Sequence, residues 1–191
     1  MRHYEFVQEA SPNTWEGSFT PDLVTSKTWL AQHLKRELDG RSAGDIYVLG
    51  SWWGNLGVFI QQYNIEFDRL IMVEQHKHLL ASTRELLSNL WDQGRLKLVQ
   101  SRAELVEYPD RLITVINTSV NDMTDSWLGQ VPDNTLTVIQ GRNNLEDPKI
   151  VTRDIQEFDQ KFPLTNTVYR AQRELRDPET AYSRYMKIGY K

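Results

Sequence analysis

The sequence has no cysteine among its 191 residues. This absence excludes disulfide frameworks, thiolate zinc sites and cysteine nucleophiles, and it is consistent with a cytosolic chain. Long apolar runs are also lacking, since no stretch approaches the roughly 18 apolar residues that a membrane span requires. Residues 1–5 (MRHYE) show no apolar segment typical of a secretory leader. We therefore expect a cytoplasmic protein without a membrane partner.

The sequence has 22 Lys and Arg residues and 26 Asp and Glu residues, for a formal net charge of −4. Neither sign of charge is therefore in large excess. Affinity for nucleic acid depends heavily on phosphate contacts by Lys and Arg. This balance therefore gives no general signal for nucleic-acid binding. The 39% hydrophobic and 25% charged residues are typical of a globular protein, and the length favours a single domain.

Short apolar runs alternate with longer amphipathic segments, a pattern typical of βαβ units. A first helix is predicted over residues 20–38 and two more over 58–63 and 79–91. The predicted strands are residues 46–49, 70–73, 96–99, 112–116 and 136–139. Their nearly continuous apolar character is typical of strands buried on both faces of a parallel sheet.

Two strand-like segments, residues 165–175 and 182–190, flank a turn-forming cluster at 176–179 (RDPE) and predict an antiparallel hairpin. The predicted fold class is therefore α/β and Rossmann-like, a mostly parallel sheet with helices on both faces and a C-terminal antiparallel β-hairpin. Residues 1–44 are expected to form an N-terminal arm and helix packed on a domain of residues 45–191.

Glycines at 50, 54 and 57 follow the first predicted strand and run into the next helix. Glycine there permits positive φ and lets a ligand approach the backbone. A tight turn with one helix-packing glycine is the alternative. Glu74 ends the second predicted strand, where Rossmann-type sites place an acid for ribose hydroxyls. A solvated residue at a helix N-terminus is the alternative for Glu74.

From residue 45 to 191 the sequence resembles class I S-adenosylmethionine-dependent methyltransferases, and more narrowly a group of them encoded by bacteriophages. The resemblance is carried by residues 48–54 (VLGSWWG), 116–119 (INTS), 140–144 (QGRNN) and 182–189 (YSRYMKIG). It implies S-adenosylmethionine as the cofactor. The cofactor-binding residues that it implies are Gly50, Ser51, Trp53, Gly54, Glu74, Gln75, Ser101, Arg102, Ala103 and Asn117.

The loop after the fourth strand commonly faces the acceptor in this family, which makes Asn117 and Ser119 the predicted catalytic residues. A carboxamide can accept a hydrogen bond from a nucleophilic amine and orient its lone pair. Methyl transfer needs alignment more than strong acids or bases. The alternative is that these side chains only bond local backbone groups.

A second polar cluster, formed by Gln140, Asn143 and Asn144, follows the fifth strand at the same predicted sheet edge. It is predicted to bind the acceptor, which the sequence leaves open as a small molecule, a protein or an RNA. A turn held by asparagine side chains is the alternative for this cluster.

One residue departs from the family pattern, because Leu49 stands where an acid usually precedes the first motif glycine. A non-catalytic Rossmann-like binding or assembly module therefore remains open. A nicotinamide-dependent oxidoreductase would also use Gly50, Gly54, Gly57 and Glu74, although no Tyr-x-x-x-Lys pair follows the fourth strand.

Two further sets of residues in the sequence are explained by structural roles instead of a function. His76 and His78 have no apparent third ligand, so no metal site is predicted. A basic and aromatic strip on the predicted hairpin could meet an RNA or a peptide, but cross-strand packing is the preferred explanation. The strip consists of Tyr169, Arg170, Arg173, Arg184, Tyr185 and Lys187.

Overall fold

The computed structural model describes residues 16–144 and 152–191. The strands are β1 Asp45–Leu49, β2 Leu70–Glu74, β3 Leu96–Gln100, β4 Ile113–Asn117, β5 Leu136–Arg142, β6 Asn166–Arg176 and β7 Ala181–Tyr190. The α-helices are α1 Pro21–Leu38, α2 Asn55–Gln62, α3 Lys77–Leu86, α4 Ser88–Asp92, α5 Trp127–Gln130 and α6 Ile155–Lys161.

All seven strands form one sheet in the order β3-β2-β1-β4-β5-β7-β6. The first five strands pair in parallel. Strand β7 lies between β5 and β6 and runs antiparallel to both. The predicted fold class, including the C-terminal hairpin, is confirmed.

Alternate side chains of each central strand pack on opposite faces of the sheet. In β1, Ile46 and Val48 join one core with α1 and α2, while Tyr47 and Leu49 join a second core with α5 and α6. Every residue of β1, β2 and β4 is buried. This two-sided burial explains why these strands are continuous apolar runs instead of alternating ones.

The helices depart from the prediction at their ends. The single helix predicted over residues 79–91 is divided, because Leu87 leaves helical geometry at φ −109° and ψ 31° between α3 and α4. Leu87 is fully buried, and its side chain packs in the core beside α2 and β2. In the described part of the chain, no helix is long and apolar enough to cross a membrane.

The N-terminal part of the chain contributes directly to the core. Helix α1 buries Trp29, Leu30 and Leu34 without residual exposure, in the same cluster as residues of β1 and β2. Most of the predicted N-terminal arm lies outside the described residues, and the boundary at residue 44 stays a prediction.

Gly57 gives a test of the packing between α2 and the sheet. A Cβ at this position would lie 2.6 Å from Leu87 Cδ1 and 2.9 Å from Met72 Cε. We expect Gly57→Val to lower the free energy of unfolding by about 2 kcal/mol or more, because overfilled cores typically lose 1 to 3 kcal/mol. Urea denaturation followed by circular dichroism measures this change.

Gly129 in α5 provides the matched control, since no atom lies within 4 Å of a Cβ built there. Gly129→Val should change the free energy of unfolding by less than about 0.5 kcal/mol, as exposed substitutions usually do. Equal stability of the two variants would contradict the close approach of α2 to the sheet.

Candidate functional site

A cavity of about 1100 Å³ opens at the carboxyl ends of β1 to β4. Because these four strands are parallel, the loops that follow them meet at one edge of the sheet. Helix α1 and the ends of β5 and β7 close the side of the cavity that lies beyond β4. The cavity therefore has two ends, one bounded by the loops after β1 to β3 and one bounded by α1, β5 and β7.

The loop after β1 has an unusual backbone. Gly50, Trp52 and Gly54 all have positive φ, at 60°, 51° and 79°. A left-handed conformation is a genuine outlier for a residue as bulky as tryptophan. One hydrogen bond holds Trp52 there, because its N–H donates to Glu74 Oε2 at 3.1 Å. The hydroxyl of Thr83 lies 3.3 Å from the Trp52 carbonyl, but its shorter bond, at 2.9 Å, is to the carbonyl of Leu79.

Glu74 joins this loop to the one after β2. Its second carboxylate oxygen, Oε1, accepts the N–H of His76 at 3.1 Å. The residue is 7% exposed and lines the cavity, so it is not a solvated side chain at a helix end. A carboxylate has about four lone-pair sites, and two of them remain for hydroxyl groups of a ligand.

Ser51 presents a second polar atom at the same end of the cavity. Its Oγ is buried and has no hydrogen-bond partner among the described residues. Apolar side chains line the space between the loops, namely Val73, Leu79, Ala103 and Met123. This combination fits a nucleoside with a polar tail, because an apolar slot suits a base and the oxygens suit hydroxyl and ammonium groups.

Most of the predicted cofactor-binding residues are brought together by the structure. The cavity is lined by Gly50, Ser51, Glu74, Gln75, Ser101, Arg102 and Ala103. Arg102 also forms an ion pair with Glu104. Trp53, Gly54 and Asn117 do not line the cavity.

Gly54 and Trp53 lie against α3 and outside the cavity lining. A Cβ at Gly54 would lie 2.5 Å from Thr83 Cγ2, so this glycine permits the approach of α3 to the loop. The alternative of a glycine required by the turn is therefore the better explanation of Gly54. Trp53 packs against Trp52 and His78, with ring centroids 6.2 and 6.4 Å away.

Asn117 differs from the expectation of a catalytic side chain. It is completely buried. Its Oδ1 accepts the N–H of Ser119 at 3.0 Å, and its Nδ2 donates to Met123 Sδ at 3.1 Å. The carboxamide therefore shapes the loop after β4, which is the alternative described above. Ser119 does line the cavity, and its Oγ donates to the carbonyl of Gly50 at 3.1 Å.

The predicted acceptor cluster also serves the fold. Gln140 is fully buried and forms two hydrogen bonds with Ser26 of α1, one through each side-chain atom. Asn143 exchanges two hydrogen bonds with the backbone of Ser183, and Asn144 Nδ2 donates to Asp177. None of the three lines the cavity, because these side chains connect β5 to α1 and to the C-terminal hairpin.

The end of the cavity beyond β4 is lined by basic side chains that the sequence did not indicate as site residues. Lys27 of α1, Arg142 of β5 and Arg184 of β7 all line it. Burial, then the charges of Arg184 and Arg142, lower the pKa of the Lys27 amine well below its usual value. Lys27 interrupts the apolar face of α1 between Leu23 and Leu30, and this interruption is the signal that could have revealed it.

The basic and aromatic strip of the hairpin does not form one surface. Arg184, Tyr185 and Lys187 are buried because β7 is an interior strand. Lys187 forms an ion pair with Asp159, and Arg184 reaches the cavity. The six residues of the strip are thus divided between the core, the cavity and the edge strand.

No protein-family model matches the chain, and its sequence matches no curated protein. Several solved structures are similar to this chain in fold. The N-methyltransferase NodS from Bradyrhizobium japonicum, in complex with S-adenosyl-L-homocysteine, superposes with a TM-score of 0.64 at 9% identity, over 94% of this chain and 93% of that one. The fold is that of S-adenosylmethionine-dependent methyltransferases.

Two further structures support this assignment of the fold. A SAM-dependent methyltransferase from Aquifex aeolicus has a TM-score of 0.62 at 9% identity, over 94% of this chain and 99% of that one. A SAM-dependent methyltransferase from Leishmania major has a TM-score of 0.62 at 14% identity, over 88% and 74%. The narrower resemblance to a bacteriophage-encoded group stays a prediction.

Gly54 gives a test of the loop that borders the cavity. Gly54→Ala combines a left-handed residue with a collision against Thr83. Gly40 has the same φ of 79° but nothing within 4 Å of a built Cβ. Gly40→Ala should therefore show the conformational cost alone, about 1 to 2 kcal/mol.

We expect Gly54→Ala to lower the free energy of unfolding by at least about 1 kcal/mol more than Gly40→Ala, because the collision adds the cost of overpacking. Chemical denaturation of both variants measures the difference. Equal losses of stability would mean that Gly54 does not pack against α3.

Proposed function

We propose that this protein is an S-adenosylmethionine-dependent methyltransferase. The observation that carries the proposal is the convergence of two oxygen groups on one cavity, at the carboxyl ends of β1 and β2. They are the Glu74 carboxylate and the Ser51 hydroxyl, which has no hydrogen-bond partner among the described residues. Glu74 would accept hydrogen bonds from the ribose hydroxyls. Ser51 would bond the amino-acid part, and Val73, Leu79 and Ala103 would cover the adenine.

When bound, the cofactor supplies a methyl group made electrophilic by a sulfonium. The chain's own contribution is alignment and the exclusion of water, which can lower a barrier substantially without a strong acid or base. Thr118 and Ser119 line the cavity beyond β4, so an acceptor placed there would face the cofactor end. Glu74 and Ser51 would hold the cofactor that supplies the methyl group, and Thr118 and Ser119 would border the space in which the acceptor's nucleophilic atom is aligned.

A non-catalytic binding module is the second candidate, and specific observations favour it. Leu49, where the family usually has an acid, is fully buried, and the carboxamide of Asn117 is engaged by Ser119 and Met123. Both candidates require the same cofactor site. They differ in whether an acceptor becomes methylated, so a transfer assay separates them.

The cofactor site is tested by Glu74→Gln, which keeps the size of the side chain, removes its charge and leaves one oxygen to accept the N–H of Trp52 or of His76. We expect the affinity for S-adenosylhomocysteine to fall at least 10-fold, because a hydrogen bond to a charged group contributes about 1.5 to 3 kcal/mol and 1.4 kcal/mol is one decade. Isothermal titration calorimetry measures the dissociation constant.

Glu85→Gln on the exposed side of α3 makes the same chemical change outside the cavity, and it should leave the dissociation constant unchanged. A parallel titration of the parent protein with NAD addresses the oxidoreductase alternative. Heat from NAD without heat from S-adenosylhomocysteine at millimolar concentration would overturn the proposal.

Catalysis is tested with S-adenosylmethionine carrying a labelled methyl group, incubated with small-molecule, protein and RNA fractions. We expect label to enter an acceptor with the parent protein and to be reduced at least 10-fold with Glu74→Gln at subsaturating cofactor. Cofactor binding without transfer to any fraction would favour the non-catalytic module.

A further inference from the structure

Two buried cations meet at one residue beyond β4. Lys27 Nζ donates to Thr118 Oγ1 at 2.6 Å, and Arg184 Nη2 donates to the Thr118 carbonyl at 3.4 Å. Lys27 is 5% exposed and Arg184 is 4% exposed. Both side chains nevertheless line the cavity, so a group that reaches its floor can touch them.

The positions of these cations are held by the fold. Arg184 Nε donates to Ser26 Oγ at 3.1 Å, and the same hydroxyl donates to Gln140 Oε1 at 3.1 Å. Ser26 precedes Lys27 in α1, so the bonds between α1, β5 and β7 place the lysine beside the arginine. A third cation, Arg142, lines the cavity at the end of β5.

Among the residues that the structure describes, no carboxylate forms an ion pair with Lys27 or Arg184, although Asp122 and Asp125 also line the cavity. None lies within 4 Å of the Lys27 amine or the Arg184 guanidinium. Arg142 reaches Asp122 only at 3.9 Å. Asp22, the buried acid of this region, accepts the hydroxyl of Tyr182 at 2.7 Å. Burying charge without a close partner is costly, and the cost is removed when a ligand supplies the opposite charge.

Burial also lowers the pKa of the Arg184 guanidinium, as it does that of Lys27. Both shifts have the direction expected of cations that lack compensation, since desolvation disfavours the charged form. The charges of Tyr182, Asp22 and Asp122 raise the pKa of Arg184, but they do not reverse the shift that burial and the charge of Arg142 cause.

We propose that the methyl acceptor is a small acid, whose carboxylate or phosphate is held by Lys27, Arg142 and Arg184. This inference rests on the proposed function, since it names the substrate class of the same cavity. The amino-acid tail of the cofactor is a zwitterion, so it would bring an ammonium together with its carboxylate and leave the cationic end uncompensated. An anionic group on the acceptor would compensate the positive charge at that end of the cavity.

The depth of the cations favours a slender small molecule. With no more than 5% of either side chain exposed, a phosphate within a nucleic-acid backbone would have to bring its neighbouring nucleotides into the cavity. A terminal carboxylate or phosphate on a small molecule reaches the same atoms without that requirement.

The test is ligand-detected NMR with two probes, benzoate and phenyl phosphate, added to protein saturated with S-adenosylhomocysteine. We expect at least one probe to bind, and its identity distinguishes a carboxylate from a phosphate acceptor. Lys27→Met should weaken that probe at least 10-fold. Lys35→Met, at an exposed position of the same helix, should leave its affinity unchanged.

Thermal unfolding of each variant verifies the fold. If Lys27→Met does not fold, Arg142→Met at the half-buried end of β5 provides the same test and should also weaken the probe. No response to either probe at 10 mM would overturn the inference and leave the proposed function standing.

A parallel titration compares S-adenosylhomocysteine with 5′-methylthioadenosine, which lacks the amino-acid carboxylate. We expect Lys27→Met to change the affinity for neither. Weakened binding of S-adenosylhomocysteine alone would mean that the cofactor's own carboxylate fills the site, which overturns the acceptor assignment. Probe binding without any binding of S-adenosylhomocysteine would overturn the proposed function instead.

Discussion

The site depends on the two hydrogen bonds that the Glu74 carboxylate accepts. The carboxylate accepts one N–H from the loop after β1 and one from the loop after β2, and so it fixes the separation of the two loops at the mouth of the cavity. It also stabilises a backbone conformation that tryptophan rarely adopts, since its hydrogen bond to the Trp52 N–H holds that residue at a φ of 51°. One buried acid therefore shapes the loop and presents lone pairs to a ligand.

The second constraint is the position of α1 across the sheet. Its apolar residues pack in the core with β1 and β2, and its polar residues, Ser26 and Lys27, reach β5 and the loop after β4. The same helix thus supplies hydrophobic burial and a positive charge at the floor of the cavity. The cavity joins an acidic, hydroxyl-lined end to a cationic end, a charge distribution suited to a nucleoside cofactor beside an anionic acceptor.

The fold could be predicted because two-sided burial leaves a direct trace in the sequence. The runs 46–49, 70–73 and 113–116 within β1, β2 and β4 are nearly continuous apolar segments, and short polar or glycine-rich segments separate them from helices. The position of Glu74 in the cavity lining could be predicted as well, because a strand of a parallel sheet ends at the edge where ligands bind. The break at Leu87 could not, since it depends on how one side chain fits a core assembled from distant segments.

The polar residues at the ends of β4 and β5 were harder to assign. Asn117, Gln140 and Asn143 lie at the predicted sheet edge, but their hydrogen-bonding groups are used by Ser119, Ser26 and Ser183. Two of these partners are far away in the chain, and no local pattern reveals them. Lys27 did leave a signal in the sequence, because a charged residue stands at helical spacing between Leu23 and Leu30.

The most direct test of the account is a crystal structure of the protein with S-adenosylhomocysteine. The account predicts the ribose hydroxyls against the Glu74 carboxylate, the adenine between the loops after β2 and β3, and the sulfur directed toward Thr118. A ligand bound elsewhere, or a cavity without ligand in crystals grown at saturating S-adenosylhomocysteine, would contradict it.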